Sequence, residues 1–537
     1  MEVSVIGSSQ VNLGRTDLGT KEVGLFRFSK NLSFANISSL KNSKIWIGQS
    51  SSVRWPSKSS APFLIEASAA VHTQAAVSGK RSKVDDGLRL YVGLPQDTVS
   101  ESNTIKHARA IAAGLKALKL LGVDGVELPI WWGIAEKEGM GKYNWTGYLV
   151  IAEMVQKMDL KLHVSINFHG CSPSQISLPD WVSQIGELEP NIFFCDRSGQ
   201  HYKDCLSLSV NDLPVLNGKS PVQVYKAFCE NFKTAFSPLL GSTITGISIG
   251  LGPDGELRYP SFHRATKSGH HLGAGEFQCF DENMLSNLKK HAEAQGNPLW
   301  GLSGPHDSPK YDDQPVSGGF FQEHGGSWET QYGDFFLSWY SNQLVSHGDR
   351  LLSLAVSTFG DVPITVSGKV PLIHSWYRTR SHPAEAMAGF YNTVTRDGYE
   401  PIIEMFSKNS CKIILPGMDL SDDYQPNETF SSPESLLKQI LTSCRKHGVE
   451  ISGQNSLVSG APEGFNQITK NLLQENTVDL FTYQRMGADF FSPEHFPSFT
   501  KFVRNLGQPC LHSDDLAVDE PNSADSLPGK NRQMQAA

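Results

Sequence analysis

The sequence predicts an α/β protein whose strands close into a (β/α)8 TIM barrel with long loops on the C-terminal face. Three observations lead there. From residue 88 onward, short β-branched runs alternate with amphipathic helical segments; eight such runs can be counted; and the turn after the first carries no phosphate-binding glycine fingerprint. Eight strand–helix repeats close naturally into a barrel. The competing fold, an open doubly wound sheet, wants a Gly-rich loop after its first strand, and VGLPQD is not one.

The first strand is expected over Leu88 to Leu94. A helix from about Asn103 to Leu121 follows, with Ile105, Ala108, Ala112, Leu115 and Leu118 recurring every three or four residues and Gly122 ending it. A second strand spans Val126 to Trp131, then a helix runs from about Trp145 to Met158. The third and fourth strands are Leu162 to Phe168 and Ile244 to Gly250. The remaining four are Val362 to Val366, Lys412 to Leu415, Val449 to Ser452 and Leu480 to Tyr483. Residues 172–243 and 257–360 are long and rich in Gly, Pro and aromatics, and are expected as insertions on the C-terminal face, where barrel loops build a site.

Residues 1–80 differ from the rest. They hold nine Lys/Arg against the four acids Glu2, Asp17, Glu22 and Glu66, and are Ser-rich, so that +5 of charge sits in front of a body carrying −13. That composition is typical of an organelle transit peptide and is equally that of a solvated tail; the two are compatible. The expected organisation is a plastid transit region over 1–80, the barrel over 81–516 and a flexible polar tail over 517–537, with the plastid stroma as the destination. An acidic body lacks the basic face that nucleic acid demands. No apolar run reaches about 18 residues, which excludes a membrane-spanning helix. Eight scattered cysteines without paired metal spacing read as buried free thiols in a reducing compartment.

Four strand ends carry residues suited to chemistry. GISIGLGPDGELRYP (246–260) runs from a strand into a Gly/Pro turn that presents Glu256 beside Arg258 and Tyr259, where a barrel places a general acid. A surface Glu salt-bridged to Arg258 is the alternative. GVELPIWWGI ends on Trp131 and Trp132, which could stack on sugars or pack the core. INFHGC ends on His169, and SGKVPLIHSWY offers Lys369 and His374. For Glu256 the two readings are evenly balanced, and the other three taken singly are structural more often than functional; the convergence of all four on one rim is harder to dismiss.

GVDGVELPIWWGI, FHGC, GLGPDGELRYPS, GEFQCFD, FFLSWYSNQLVSHGDRLL and TYQRM, in this order, resemble the β-amylases, glycoside hydrolase family 14, over residues 89–506. The resemblance implies an inverting hydrolase that releases β-maltose from the non-reducing ends of α-1,4-glucans with two carboxyls, one acid and one base, and no metal or cofactor. Glu256 matches the acid. The base position reads SGQNSL, which puts Gln454 there, and an amide cannot accept a proton from water near neutral pH. Other departures fall on the same site. Pro129 stands where the family has a sugar-binding Asp, Pro416 where it has an inner-loop Thr, and Ser456 where an Ala follows the motif's Asn. The flexible loop after FHGC is shortened to SPSQISLPDW (172–181). His169, Lys369, His374, Asn455, Leu457 and Arg485 match substrate-contact positions, and Asp419 is the one substitute base that suggests itself.

These departures imply a catalytically silent or nearly silent homologue with a regulatory or scaffolding role in plastid starch metabolism. Its partners would be an α-1,4-glucan, bound weakly or not at all, or an active amylase or other starch-metabolism protein. The alternative is a working β-amylase that uses another base.

Overall fold

The structure is a computed structural model and describes residues 87–262, 273–456, 462–473 and 478–506. The expected transit region, the tail from 517, Leu457 and Cys510 lie outside the described residues. Ten strands occur among the described residues: β1 (Arg89–Gly93), β2 (Gly125–Trp131), β3 (Lys161–Asn167), β4 (Phe193–Cys195), β5 (His201–Leu206), β6 (Ile244–Ile249), β7 (Thr365–Lys369), β8 (Lys412–Leu415), β9 (Ile451–Gln454) and β10 (Val478–Tyr483). Eight of them form a closed parallel barrel in the order β1-β10-β9-β8-β7-β6-β3-β2. Closure is by β1 on β10, with Arg89 opposite Leu480 and Val92 opposite Tyr483. The other two, β4 and β5, make a small antiparallel hairpin.

Strand periodicity explains the distribution of polarity. On β2, Val126, Leu128 and Ile130 alternate with Glu127, Pro129 and Trp131, and the second set borders a cavity at the barrel mouth. On β3, Leu162, Val164 and Ile166 are fully buried in the apolar core, while Ser165 and Asn167 border the same cavity as Glu127. The apolar core therefore lies between the barrel and its helices, and the barrel interior is polar at its C-terminal end.

Three elements start two or more residues later than the sequence reading expects. The first helix begins at Ala108, not near Asn103, because Asn103 and His107 take left-handed backbone angles. The Asn103 amide is instead used as a brace: it donates to the Asn144 carbonyl at 2.6 Å and accepts from the Gly147 N–H at 2.8 Å. Ile105 is thus outside the helix. β7 starts at Thr365, three residues late, since the Val362 N–H closes a turn onto the Phe359 carbonyl and Pro363 has no N–H for a ladder. β9 starts at Ile451, because Gly448 (φ 66°) caps the preceding helix and the Val449 N–H bonds back to Cys444. Both shifts carry the strands further, so Lys369 and Gln454 are the last residues of their strands.

The long segments 172–243 and 257–360 are not loops throughout. They contain the helices Pro221–Ala235 and Gln331–Phe359, which pack on each other through Phe232 and Phe359 and through a Lys233 Nζ bond of 2.8 Å to the Thr358 carbonyl. The first opens with a capping box between Ser220 and Gln223 and Pro221 in its first turn, signals readable in the sequence. The seven described cysteines are all buried and unpaired, and burial pushes six of their thiols up, as with Cys205 and Cys411 to about 12. Such thiols are inert.

Candidate functional site

Beyond β6, the turn Gly250–Arg258 folds back on β7. Asp254 (φ 55°) and Gly255 (φ 76°) make the reversal, and the Leu257 N–H donates to the Lys369 carbonyl at 2.9 Å. Glu256 emerges from this clamp with a side chain 19% exposed. Its Oε2 accepts from Arg258 Nε at 2.9 Å, and Arg258 Nη2 reaches Asp254 Oδ2 at 2.6 Å. Burial alone would draw the Arg258 guanidinium down, but Glu256 and Asp254 outweigh it and hold the pKa above the usual value. Glu256 is thus salt-bridged to Arg258, the alternative that its sequence context allows. It also borders a cleft. Tyr259 is core: fully buried, stacked on Tyr340 at 3.9 Å, its hydroxyl bonded to the Tyr340 carbonyl.

Glu256, Lys369, His374, Pro416, Gln454, Asn455, Ser456 and Arg485 border one open cleft of about 640 Å³. Gln454 is 3% exposed at the end of β9. Asn455 spends its amide on the backbone of Gln484, donating to the carbonyl at 2.7 Å and accepting from the N–H at 2.6 Å. Burial pushes His374 down to about 4, so it is neutral at physiological pH. Ser456 occupies both carboxylate oxygens of Asp419: its N–H reaches Oδ1 at 2.6 Å and its hydroxyl reaches Oδ2 at 2.9 Å. The carboxylate suggested as a substitute base is thereby committed, and it does not border the cleft.

Pro129 and His169 border a smaller, deeper chamber of about 70 Å³, which shares Gln96, Lys369 and Arg485 with the cleft. His169 bonds the Gly170 carbonyl through Nδ1 at 2.6 Å and meets Trp131 edge-on. The two indoles part ways. Trp132 is fully buried against Phe168, Trp181 and Tyr225, and Trp131 lies in the chamber wall with its Nε1 donating to the Gln96 carbonyl. Trp132 borders neither the chamber nor the cleft.

Glu127 does not stand out in the sequence, yet it organises the chamber. It is 6% exposed, accepts from Ser165 Oγ and from Gln484 Nε2, and faces Arg485 and Lys369. Burial raises its carboxyl, but the two cations and the Ser165 bond outweigh burial and hold the pKa below the usual carboxylate value. A signal for it exists: Glu127 shares a strand face with Pro129 and Trp131. An acid inside a predicted barrel strand needs a cation, and Lys369 stands at another strand end.

The loop 172–181 is pinned down. Ser172 Oγ reaches Asp204 Oδ2 at 2.5 Å, Ser174 Oγ reaches Gln96 Oε1 at 2.9 Å, and Ile176, Leu178 and Trp181 are buried. Gly133 allows this approach: a Cβ there would stand 1.8 Å from the Ser177 carbonyl oxygen. Gly133→Ala is therefore expected to lower stability by about 1–3 kcal/mol through overpacking against backbone. Urea unfolding measures this, and an unchanged midpoint would mean the loop yields without cost.

The family model described as Glycosyl hydrolase family 14 matches residues 91–510. This chain belongs to glycoside hydrolase family 14. It is 54% identical over 98% of its length, and 97% of the relative's, to a protein of Arabidopsis thaliana called inactive β-amylase 9. It is 40% identical to β-amylase 2, chloroplastic, of Oryza sativa subsp. japonica, over 80% of this chain and 78% of that one. Inactive β-amylase 4, chloroplastic, of Arabidopsis thaliana is 36% identical over 78% of this chain and 82% of its own. Among solved structures, the catalytic domain of β-amylase from Paenibacillus polymyxa superposes with a TM-score of 0.65 at 24% identity, covering 79% of this chain and all of that domain. The (β/α)8 barrel is therefore the family's fold.

Proposed function

We propose that this chain is a glycoside hydrolase family 14 protein that does not hydrolyse glucan at a useful rate and serves plastid starch metabolism by binding. The observation that carries the reading is Gln454, an amide at the strand end where the family resemblance puts the base, across one cleft from Glu256. Loss of a positioned general base costs about 10²–10⁴-fold. Two carboxylates among the described residues are engaged elsewhere, which supports the reading: Asp419 is bound by Ser456, and Glu127 lies in the deeper chamber beside Arg485 and Lys369. Pro129 and Pro416 present no side-chain donor or acceptor to a sugar.

The names of two Arabidopsis relatives, each called an inactive β-amylase, favour the same reading. Several relatives are called chloroplastic, which supports a plastid location and a transit region over 1–80 ahead of a barrel over 81–516 and a tail over 517–537. The partners that fit are an α-1,4-glucan, held weakly, and an active amylase or another starch-metabolism protein. Purified protein from residue 81 onward, incubated with soluble starch, should release no maltose above a blank. Robust release would sink the proposal in favour of a working β-amylase, and Asp419→Ala would then test whether Asp419 supplies the base.

A further inference from the structure

The chamber and the cleft adjoin through Gln96, Lys369 and Arg485, and Glu127 laces the barrel mouth together beside them. It rises from β2, accepts from Ser165 of β3, and takes the amide of Gln484 from the segment beyond β10. Gln484 can reach it because β1 ends on Gly93; a Cβ there would stand 2.5 Å from Gln484 Oε1. Asn455, beyond β9, fixes the Gln484 backbone from the other side. Arg485 fills the remaining gap, its Nη1 bonded to the Leu94 carbonyl at 2.7 Å and its charge set against Glu127.

Size then decides what can enter. The chamber behind the lacing, about 70 Å³, has room for a few waters and falls far below the roughly 300–1,000 Å³ of ligand sites. The cleft in front, about 640 Å³, lies within that range. None of residues 171–181 borders either cavity, so that loop does not roof the cleft.

We propose that the cleft holds an α-1,4-glucan laid across it and has no requirement for a chain end. A sugar cannot end in the chamber, because its space of about 70 Å³ is too small for one. The lining suits a chain passing by: Phe262, Leu372, Ile373 and Leu420 give apolar surface for sugar faces, and Lys369 and Gln454 give polar groups for hydroxyls. This inference rests on the glucan reading above for the class of ligand and adds the manner in which it is held.

Calorimetry on the full chain, with maltoheptaose and with β-cyclodextrin, tests it, since the ring has the same linkages and no ends. Affinities within about threefold of each other are expected, a small difference in binding free energy. Binding of the linear chain tenfold or more tighter than the ring, or no binding of either, overturns the proposal. Leu420→Arg should weaken both ligands about tenfold or more, and full retention would place binding elsewhere and overturn it too. Gln484→Ala, which unlaces the mouth, should tilt preference toward the linear chain by about fivefold; an unchanged ratio would show that the lacing does not set the binding mode. Maltose is measured in the same cells. Its release would refute the non-hydrolytic reading while leaving the ring-to-chain comparison to decide this one.

Discussion

Replacing Glu127 by Ala is expected to cost about 3–5 kcal/mol of stability, because it strands buried charge at the barrel mouth. Arg485 and Lys369 both face this carboxylate, and Ser165 and Gln484 donate to it. The cost has a pH signature. The carboxyl is held below its unfolded value of 4.5, so its stabilising contribution is fully present above pH 4.5 and fades as pH falls through the lower folded value. The gap between wild type and Glu127→Ala in urea should therefore narrow below pH 4.5. A gap that stays constant into acid would assign the loss to packing. Glu127→Gln, which keeps the shape and removes the charge, should reproduce most of the loss near neutral pH.

Placing a carboxylate at Gln454, the proposed base position, is expected to fail on its own. Gln454→Glu should raise maltose release from soluble starch by no more than about tenfold, although a working base is worth about 10²–10⁴-fold. The reason is the number of other obstacles in the same place. Pro129 offers no side-chain donor or acceptor, the loop 172–181 is packed down by Ile176, Leu178 and Trp181, and Glu127 is bonded to Gln484 at the inner chamber. A full family-like rate from Gln454→Glu alone would refute the view that the site is dismantled in several parts. Adding Pro129→Asp and a longer loop should bring further gain in steps, because each removes a separate obstacle.

Much of the fold and part of the site are legible in the sequence. Alternating strand and helix patterns, eight times over, predict the barrel, and the strand ends carrying Glu256, Trp131 and Trp132, His169, and Lys369 with His374 point to one rim. The cleft brings Glu256, Lys369 and His374 together, Trp131 and His169 border the adjoining chamber, and Trp132 is core. The boundaries that slip do so where local hydrogen bonding outcompetes propensity. Asn103 and His107 leave the helix for left-handed angles, and Gly448 with Val449 extends a helix end where a strand is expected. Residues 172–243 and 257–360 read as loops because their Gly, Pro and aromatic content masks two outer helices of the barrel.

The amino-acid order by itself determined which side chains stand at these positions: Gln454 is an amide in any fold, and Pro129 and Pro416 have no side-chain donor in any fold. Only the tertiary structure decided what became of the space around them. Glu127 and Gln484 are 357 residues apart and meet because β1 closes the barrel onto β10 between β2 and the segment that carries Gln484. Asp419 and Ser456 pair because β8 and β9 are neighbours. Strand periodicity places a residue on a face, but which side chain it meets across the barrel depends on closure and register, and those are set by the packing of the whole ring of strands.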